Sequence, residues 1–200
     1  MTITYQVGSG LYVNLTNRCS NHCSFCVRDS FDTVGDAPSL WLPREPSPDE
    51  IWDDILLRDL SAYAELVFCG FGEPTERLDV LLDIAARVRR TAPSMPIRIN
   101  TNGMGSLIAG SDITPQFKGL IDVVSVSLNT SCAEDYETVC RPDYPGAFDG
   151  LLDFSRRAAM SVPCVIMTVV AGTLSEENIE TCRALAVSCG AELRVRSYIE

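Results

Sequence analysis

Cys19-Ser20-Asn21-His22-Cys23-Ser24-Phe25-Cys26 follows closely on the apolar run Leu11-Tyr12-Val13-Asn14-Leu15. Three thiols at a C-x3-C-x2-C spacing are soft ligands of the kind that select zinc, copper(I) or iron–sulfur clusters. Three close thiolates can hold three corners of a four-iron cube and leave the fourth iron open to another ligand. A structural zinc site needs a fourth protein ligand instead. His22 is the nearest candidate, but it abuts Cys23, so the chain would have to fold tightly for both to reach one ion. No second C-x2-C pair completes a zinc ribbon. The spacing favours an open-cornered cluster, with a zinc site through His22 as the alternative.

The run before the cysteines reads as a strand over residues 11–15, which places the thiols at its C-terminal end. Further strands are expected at 66–69, 96–100, 123–129, 165–170 and 193–197. Helical patterns alternate with them. Ser47-Pro48-Asp49-Glu50 is a helix start with a capping box and proline in the first turn. Ile51, Trp52, Ile55, Leu56 and Leu60 follow on one apolar face. A helix over about 77–90 turns Leu78, Leu81, Leu82, Ala85 and Val88 inward. Residues 104–118 hold at most one short helix. Another helix, from about 148 to 159, presents Phe148, Leu151, Leu152, Ser155 and Ala159. Ser175 caps a last helix, with Ile179, Cys182, Leu185, Ala186 and Cys189 on one face, and Gly190 ends it. Cys132 and Cys140 are expected on a loop.

Six strand–helix units imply a parallel α/β sheet and fall short of the eight-stranded barrel of ~250 residues. An open doubly wound sheet and a partial barrel both remain. In either, the functional loops open at the strands' C-terminal ends. The whole chain, 1–200, reads as one domain, with the cysteine loop at 16–28 and a long Asp-, Ser-, Pro- and Gly-rich excursion at 27–47. That excursion either covers the site or packs on the surface through Trp41 and Leu42.

The strand ends are polar. Gly70 and Gly72 would let a ligand approach the backbone, and Glu73 adds an acceptor. Asn100 and Asn102 could bond a ribose or a carboxylate, or cap turns. Ser125, Ser127 and Asn129 alternate and so share one facing, which suggests a wet interior around a ligand. Arg194 and Arg196 also alternate, and an inward arginine there, or Arg98 or Arg141, could hold a carboxylate or phosphate.

The formal net charge of −11 argues against non-specific nucleic-acid binding. Arg87, Arg89 and Arg90 read as a solvated helix face. No apolar run approaches the ~20 residues that span a bilayer, and Met1-Thr2-Ile3-Thr4-Tyr5 does not read as a signal peptide. Nine cysteines without a secretion signal suggest a reducing, cytoplasmic setting. Cys164, Cys182 and Cys189 look like small core residues, and Cys69 is expected to pack.

C-x3-C-x-aromatic-C after a first strand resembles the signature of the radical S-adenosylmethionine (SAM) superfamily. Overall the chain is similar to the small radical SAM proteins associated with TatD-family nucleases. The resemblance selects the partial (β/α)6 barrel. It implies that Cys19, Cys23 and Cys26 hold a 4Fe–4S cluster whose open iron takes SAM, with Phe25 near the adenine. It further implies that Gly70, Gly72 and Glu73 meet the SAM amino group, although Phe71 replaces the first glycine of the usual pair. Ser127 and Asn129 would contact the ribose and carboxylate, alongside Asn100 and Asn102. The implied activity is reductive cleavage of SAM to a 5′-deoxyadenosyl radical that takes hydrogen from a substrate. Expected partners are an electron donor such as flavodoxin or ferredoxin, a small-molecule or protein substrate, and a functional link to a TatD-like nuclease. Activation of a glycyl-radical enzyme, a non-catalytic zinc-binding module and a bare redox carrier are the alternatives.

Overall fold

A computed structural model describes residues 1–32 and 34–197, so the single domain assigned to 1–200 and the excursion at 27–47 each extend over residues outside that set. Seven strands form one sheet in sequential order: β1 (Thr4–Val7), β2 (Gly10–Val13), β3 (Glu65–Phe68), β4 (Ile97–Thr101), β5 (Val123–Ser127), β6 (Cys164–Val170) and β7 (Glu192–Arg196). All neighbouring pairs from β2 to β7 are parallel. These are the six strands expected from the sequence. β1 is an addition: it pairs antiparallel with β2 through a tight turn that joins Val7 to its partner Gly10. Gly8 takes a positive φ of 57° in that turn, a conformation glycine adopts without penalty.

The sheet curls into a partial barrel. Tyr12 of β2 and Arg196 of β7, from strands far apart in the order, line one cavity of about 350 Å³. A flat sheet would hold those strands too far apart to share it, since neighbouring strands lie about 4.8 Å apart.

Seven helices connect and cover the sheet: α1 (Val27–Ser30), α2 (Pro48–Leu56), α3 (Leu78–Thr91), α4 (Gly105–Ala109), α5 (Ala133–Cys140), α6 (Ala147–Ala159) and α7 (Glu176–Ser188). The main core joins sheet residues such as Leu66, Phe68, Ile97, Ile99, Val124 and Val126 to Ile51, Ile55, Leu81, Ile84, Leu151 and Phe154 of the helices. Four expectations are corrected. Leu56 is 54% exposed and off the buried face of α2. Cys140 is on α5 rather than a loop and Cys132 caps that helix; Glu134 and Asp135 in its first turn complement the helix dipole. The 104–118 segment carries a short helical turn at Thr114–Phe117 besides α4. Cys164 opens β6 and is only partly buried. No described helix is long and apolar enough to cross a membrane.

The start of α2 is as expected. The Ser47 hydroxyl accepts from Glu50 N–H at 3.2 Å and the Glu50 carboxylate accepts from Ser47 N–H at 2.8 Å. Ser47→Ala is expected to cost about 1 kcal/mol, read as a lowered denaturant midpoint. Arg44, and then Ser47, hold the Glu50 carboxyl down to about 2. A lowered carboxyl stabilises the fold above its unfolded value and loses that contribution as pH falls through the folded one. Wild type and Glu50→Gln should therefore converge in melting temperature as pH falls from 4.5 towards about 2.

The excursion at 27–47 both packs and covers. Asn14 and Asn17 donate to the Leu40 and Leu42 carbonyls, each at 2.7 Å. Leu40 and Ala37 join Tyr5 and Phe71 in a small second core, and Trp41 meets Phe71 edge-on. Val27, Ser30 and Phe31 meanwhile line the cavity.

Candidate active site

The cysteine loop leaves β2 at its C-terminal end and is hung on the last turn of α5 and the residues that follow it. Asn21 bridges Pro142 in antiparallel fashion. His22 N–H donates to the Cys140 carbonyl and Ser24 N–H to the Val139 carbonyl, both at 2.9 Å. Asp143 N–H returns a bond to the Ser20 carbonyl at 2.9 Å, and the buried Asn21 amide donates to the Tyr136 hydroxyl. These bonds fix a loop that has no regular structure of its own.

Cys19, Cys23, Phe25 and Cys26 all line the barrel cavity, each partly buried. Burial, with the Glu73 carboxylate adding to it, pushes the Cys19 thiol up to about 12. Cys26 is raised, chiefly by burial. The neighbouring Cys140 thiol, and then burial, raise Cys23, while Cys140 itself is lowered by Cys23. Thiols held protonated this way must give up protons to bind metal.

His22 does not join them. It is exposed, off the cavity, and its Nε2 lies 3.1 Å from Asp143. Among the described residues no three Cys, His, Asp or Glu side chains converge on one point where a single ion would bind. A four-iron cube makes no such demand, because each thiolate takes a separate iron.

Gly70 and Gly72 line the cavity, and the absence of a side chain at both also serves the chain's own packing. A Cβ on Gly72 would lie 2.3 Å from the Thr16 carbonyl oxygen and 2.5 Å from that of Arg18. One on Gly70 would lie 2.0 Å from Asn14 Oδ1. The glycines let the β3 loop press against the cysteine loop, and Glu73 N–H donates to the Arg18 carbonyl at 2.8 Å. Gly72→Ala meets backbone on two sides, so it is expected to cost about 1–3 kcal/mol. Urea unfolding would measure that loss, and iron content after reconstitution would fall with it.

The Glu73 side chain is a brace. Its Oε1 accepts from Thr75 N–H and from the hydroxyls of Thr75 and Thr101, at 3.0, 2.7 and 2.8 Å. Its Oε2 accepts from Asn102 N–H at 2.6 Å. Asn102 carries the brace onward: its amide donates to Ser20 Oγ at 3.1 Å, and its Oδ1 accepts from Met104 N–H. Asn102 is therefore both a turn cap and a prop for the cysteine loop.

Asn100, Ser125, Ser127 and Asn129 line the cavity together. Ser125 and Ser127 do so by alternation on β5, whereas the strand expected over 123–129 ends at Ser127 and Asn129 lies past it at a φ of 62°. The side-chain oxygens of Asn100 and Asn129 are buried without a hydrogen-bond partner. Buried acceptors ordinarily have one, so these two suit a ligand rich in donors. The ammonium, ribose hydroxyls and adenine amine of SAM are such donors, and the three thiols are the soft set that an iron–sulfur cluster takes. The residues present fit both groups.

Arg98, Arg194 and Arg196 also line the cavity, whereas Arg141 is exposed and off it. Cys132 and Cys140 do not form a second ligand pair: one is exposed at the start of α5, the other buried at its end. Arg87 is engaged with Asp49 and Asp83, and Arg89 with Asp122. Sequence reasoning missed Thr168 and Tyr12 in the cavity wall. Thr168 was signalled as the lone polar residue in the apolar run of β6.

A model of the Radical SAM superfamily matches residues 13–186. GTP 3′,8-cyclase of Streptomyces coelicolor is 29% identical over 196 residues, covering 94% of this chain and 52% of that one. A probable GTP 3′,8-cyclase of Halobacterium salinarum is 30% identical over 151 residues, covering 72% and 37%. The chain thus spans about half or less of the length of these curated relatives. Among solved structures, Streptococcus suis SuiB bound to the precursor peptide SuiA superposes with a TM-score of 0.67 at 16% identity, covering 96% of this chain and 40% of that one. Methylornithine synthase gives 0.62 at 16%, covering 95% and 53%.

Proposed function

Because the chain belongs to the radical SAM superfamily of enzymes, which use a 4Fe–4S cluster and SAM, we propose that Cys19, Cys23 and Cys26 hold the cluster and that the barrel cavity is the reaction chamber. The observation that carries this reading is the meeting, on one cavity wall, of three soft ligands and three residues with an unpartnered buried acceptor, Asn21, Asn100 and Asn129. Held by Cys19, Cys23 and Cys26, the cluster would supply the one-electron chemistry of reductive SAM cleavage.

The chain's own residues orient and shield that chemistry. Asn100 and Asn129 accept from the donors of SAM, with Ser127 beside them, and Phe25 lies along the adenine. The backbone at Gly70 and Gly72 faces the amino group, while the Glu73 side chain stays with its brace. Val27 and Phe31, from the excursion after the loop, limit the entry of water. An electron donor of the flavodoxin or ferredoxin type delivers the reducing equivalent. The zinc-module and bare-carrier alternatives give way to membership of an enzyme family.

The test is anaerobic reconstitution with iron and sulfide, followed by SAM and dithionite. Methionine and 5′-deoxyadenosine should appear in equal amounts. Absence of both from a protein that carries a reducible cluster would defeat the proposal. Deuterated candidate substrates then report by label transfer into 5′-deoxyadenosine; GTP, named for relatives about twice this length, belongs in that set.

A further inference from the structure

The cavity wall has a cationic pole. Its charged lining consists of Glu73, Arg98, Arg194 and Arg196. Glu73 is spent on four donors of its own chain. Arg98 is neutralised by Glu65, with contacts at 2.6 and 3.0 Å, and reaches the Tyr12 hydroxyl at 3.3 Å. Arg194 and Arg196 form no ion pair with any described carboxylate.

Their placement follows from register. Arg194 pairs with Thr168, which pairs with Ser127, so the three share one level of the barrel. Arg196 pairs with Val170, one step nearer the strand ends. Residues two apart on a strand share a facing, and both arginines reach the cavity. Both residues keep solvent contact, and partial burial with the like charge of Arg98 presses against the charge on Arg196. A bound anion would relieve both, and guanidinium forks match the planar geometry of oxyanions. A chain of net charge −11 that keeps two cations unpaired in its reaction cavity holds a local field opposite to its surface.

We propose that Arg194 and Arg196 form a subsite for an oxyanion group of the substrate, a carboxylate or a phosphate, bordered by the Arg98–Glu65 clamp. This rests on the reading of the cavity as the reaction chamber, and it narrows the substrate to a molecule carrying such a group.

The test uses the full chain, reconstituted and saturated with SAM, titrated calorimetrically with inorganic pyrophosphate in one arm and malonate in the other. At least one should bind. Arg194→Gln/Arg196→Gln should weaken that binding at least about tenfold, the loss expected for charge-assisted bonds. Arg156→Gln/Arg183→Gln, equal in charge change and on exposed helix positions off the cavity, should leave it within about twofold. Tighter pyrophosphate binding identifies a phosphate-bearing substrate, and tighter malonate binding a carboxylate. No binding of either probe, equal binding to wild type and the Arg194/Arg196 variant, or an equal loss in the charge control overturns the subsite. SAM cleavage by the same wild-type preparation separates the two readings. Cleavage without oxyanion binding defeats the subsite alone; oxyanion binding without cleavage defeats the radical reading alone.

Discussion

Cys23→Ala should lose the brown iron–sulfur absorption and cut SAM cleavage by more than about 100-fold, beyond what the loss of an outer-shell partner costs. Cys23 is the middle thiol of the loop, it lines the cavity, and its neighbours on both sides are tied to carbonyls at the C-terminal end of α5. Removing it leaves two protein ligands for a four-iron cube. The backbone bonds of His22 and Ser24 do not involve the Cys23 side chain, so the loop should keep its place. Cys132→Ala is the matching control, because Cys132 is exposed and off the cavity; it should stay within about twofold of wild type. Retention of the absorption and of cleavage in Cys23→Ala would remove these cysteines from the cluster. Equal damage in both variants would point to general cysteine oxidation.

The second large effect belongs to stability. Glu73→Ala is expected to lower unfolding free energy by about 3–5 kcal/mol, because it strips an acceptor from four donors in a site 3% exposed. That is a large part of the roughly 5–15 kcal/mol that holds a domain folded. Glu73→Gln should cost less, since one oxygen still accepts, although its amide then faces Asn102 N–H donor to donor. The pH dependence has a definite sign. Burial raises the Glu73 carboxyl, and the four bonds only partly offset this. An acid with a raised folded value stabilises most below its unfolded value, near 4.3, and that contribution is lost as pH rises through the folded value. Glu73→Gln lacks that dependence, so its deficit against wild type should be widest in acid and narrow towards neutral pH. Urea midpoints across that range check both statements. A Glu73→Ala midpoint within about 1 kcal/mol of wild type would mean the brace is not needed.

Much of this was legible in the sequence because periodicity and caps act locally. The six parallel strands, the Ser47 and Ser175 caps and the shared facing of Ser125 and Ser127 all follow from residue spacing within one element. β1 escaped because four residues of mixed character gain their strand identity only by pairing with β2. α5 escaped because its amphipathic pattern is short and its cysteines drew attention as ligands instead. The roles of Gly70, Gly72 and Glu73 were the hardest to read. Sequence marks them as special, but whether a glycine admits a ligand or a neighbouring backbone depends on residues 14 to 18, more than fifty positions earlier. The link between Cys23 and Cys140 is equally remote in the chain and carries no motif.

The docking of residues 20–24 on residues 139–143 also sets a timetable for biogenesis. A ribosome delivers the sulfur-bearing segment long before the residues at 139–143 that support it. Until then the thiols sit on an untethered stretch, open to oxygen and to stray metals. A product truncated before Val139 would lack the carbonyls that hold the thiol loop in place.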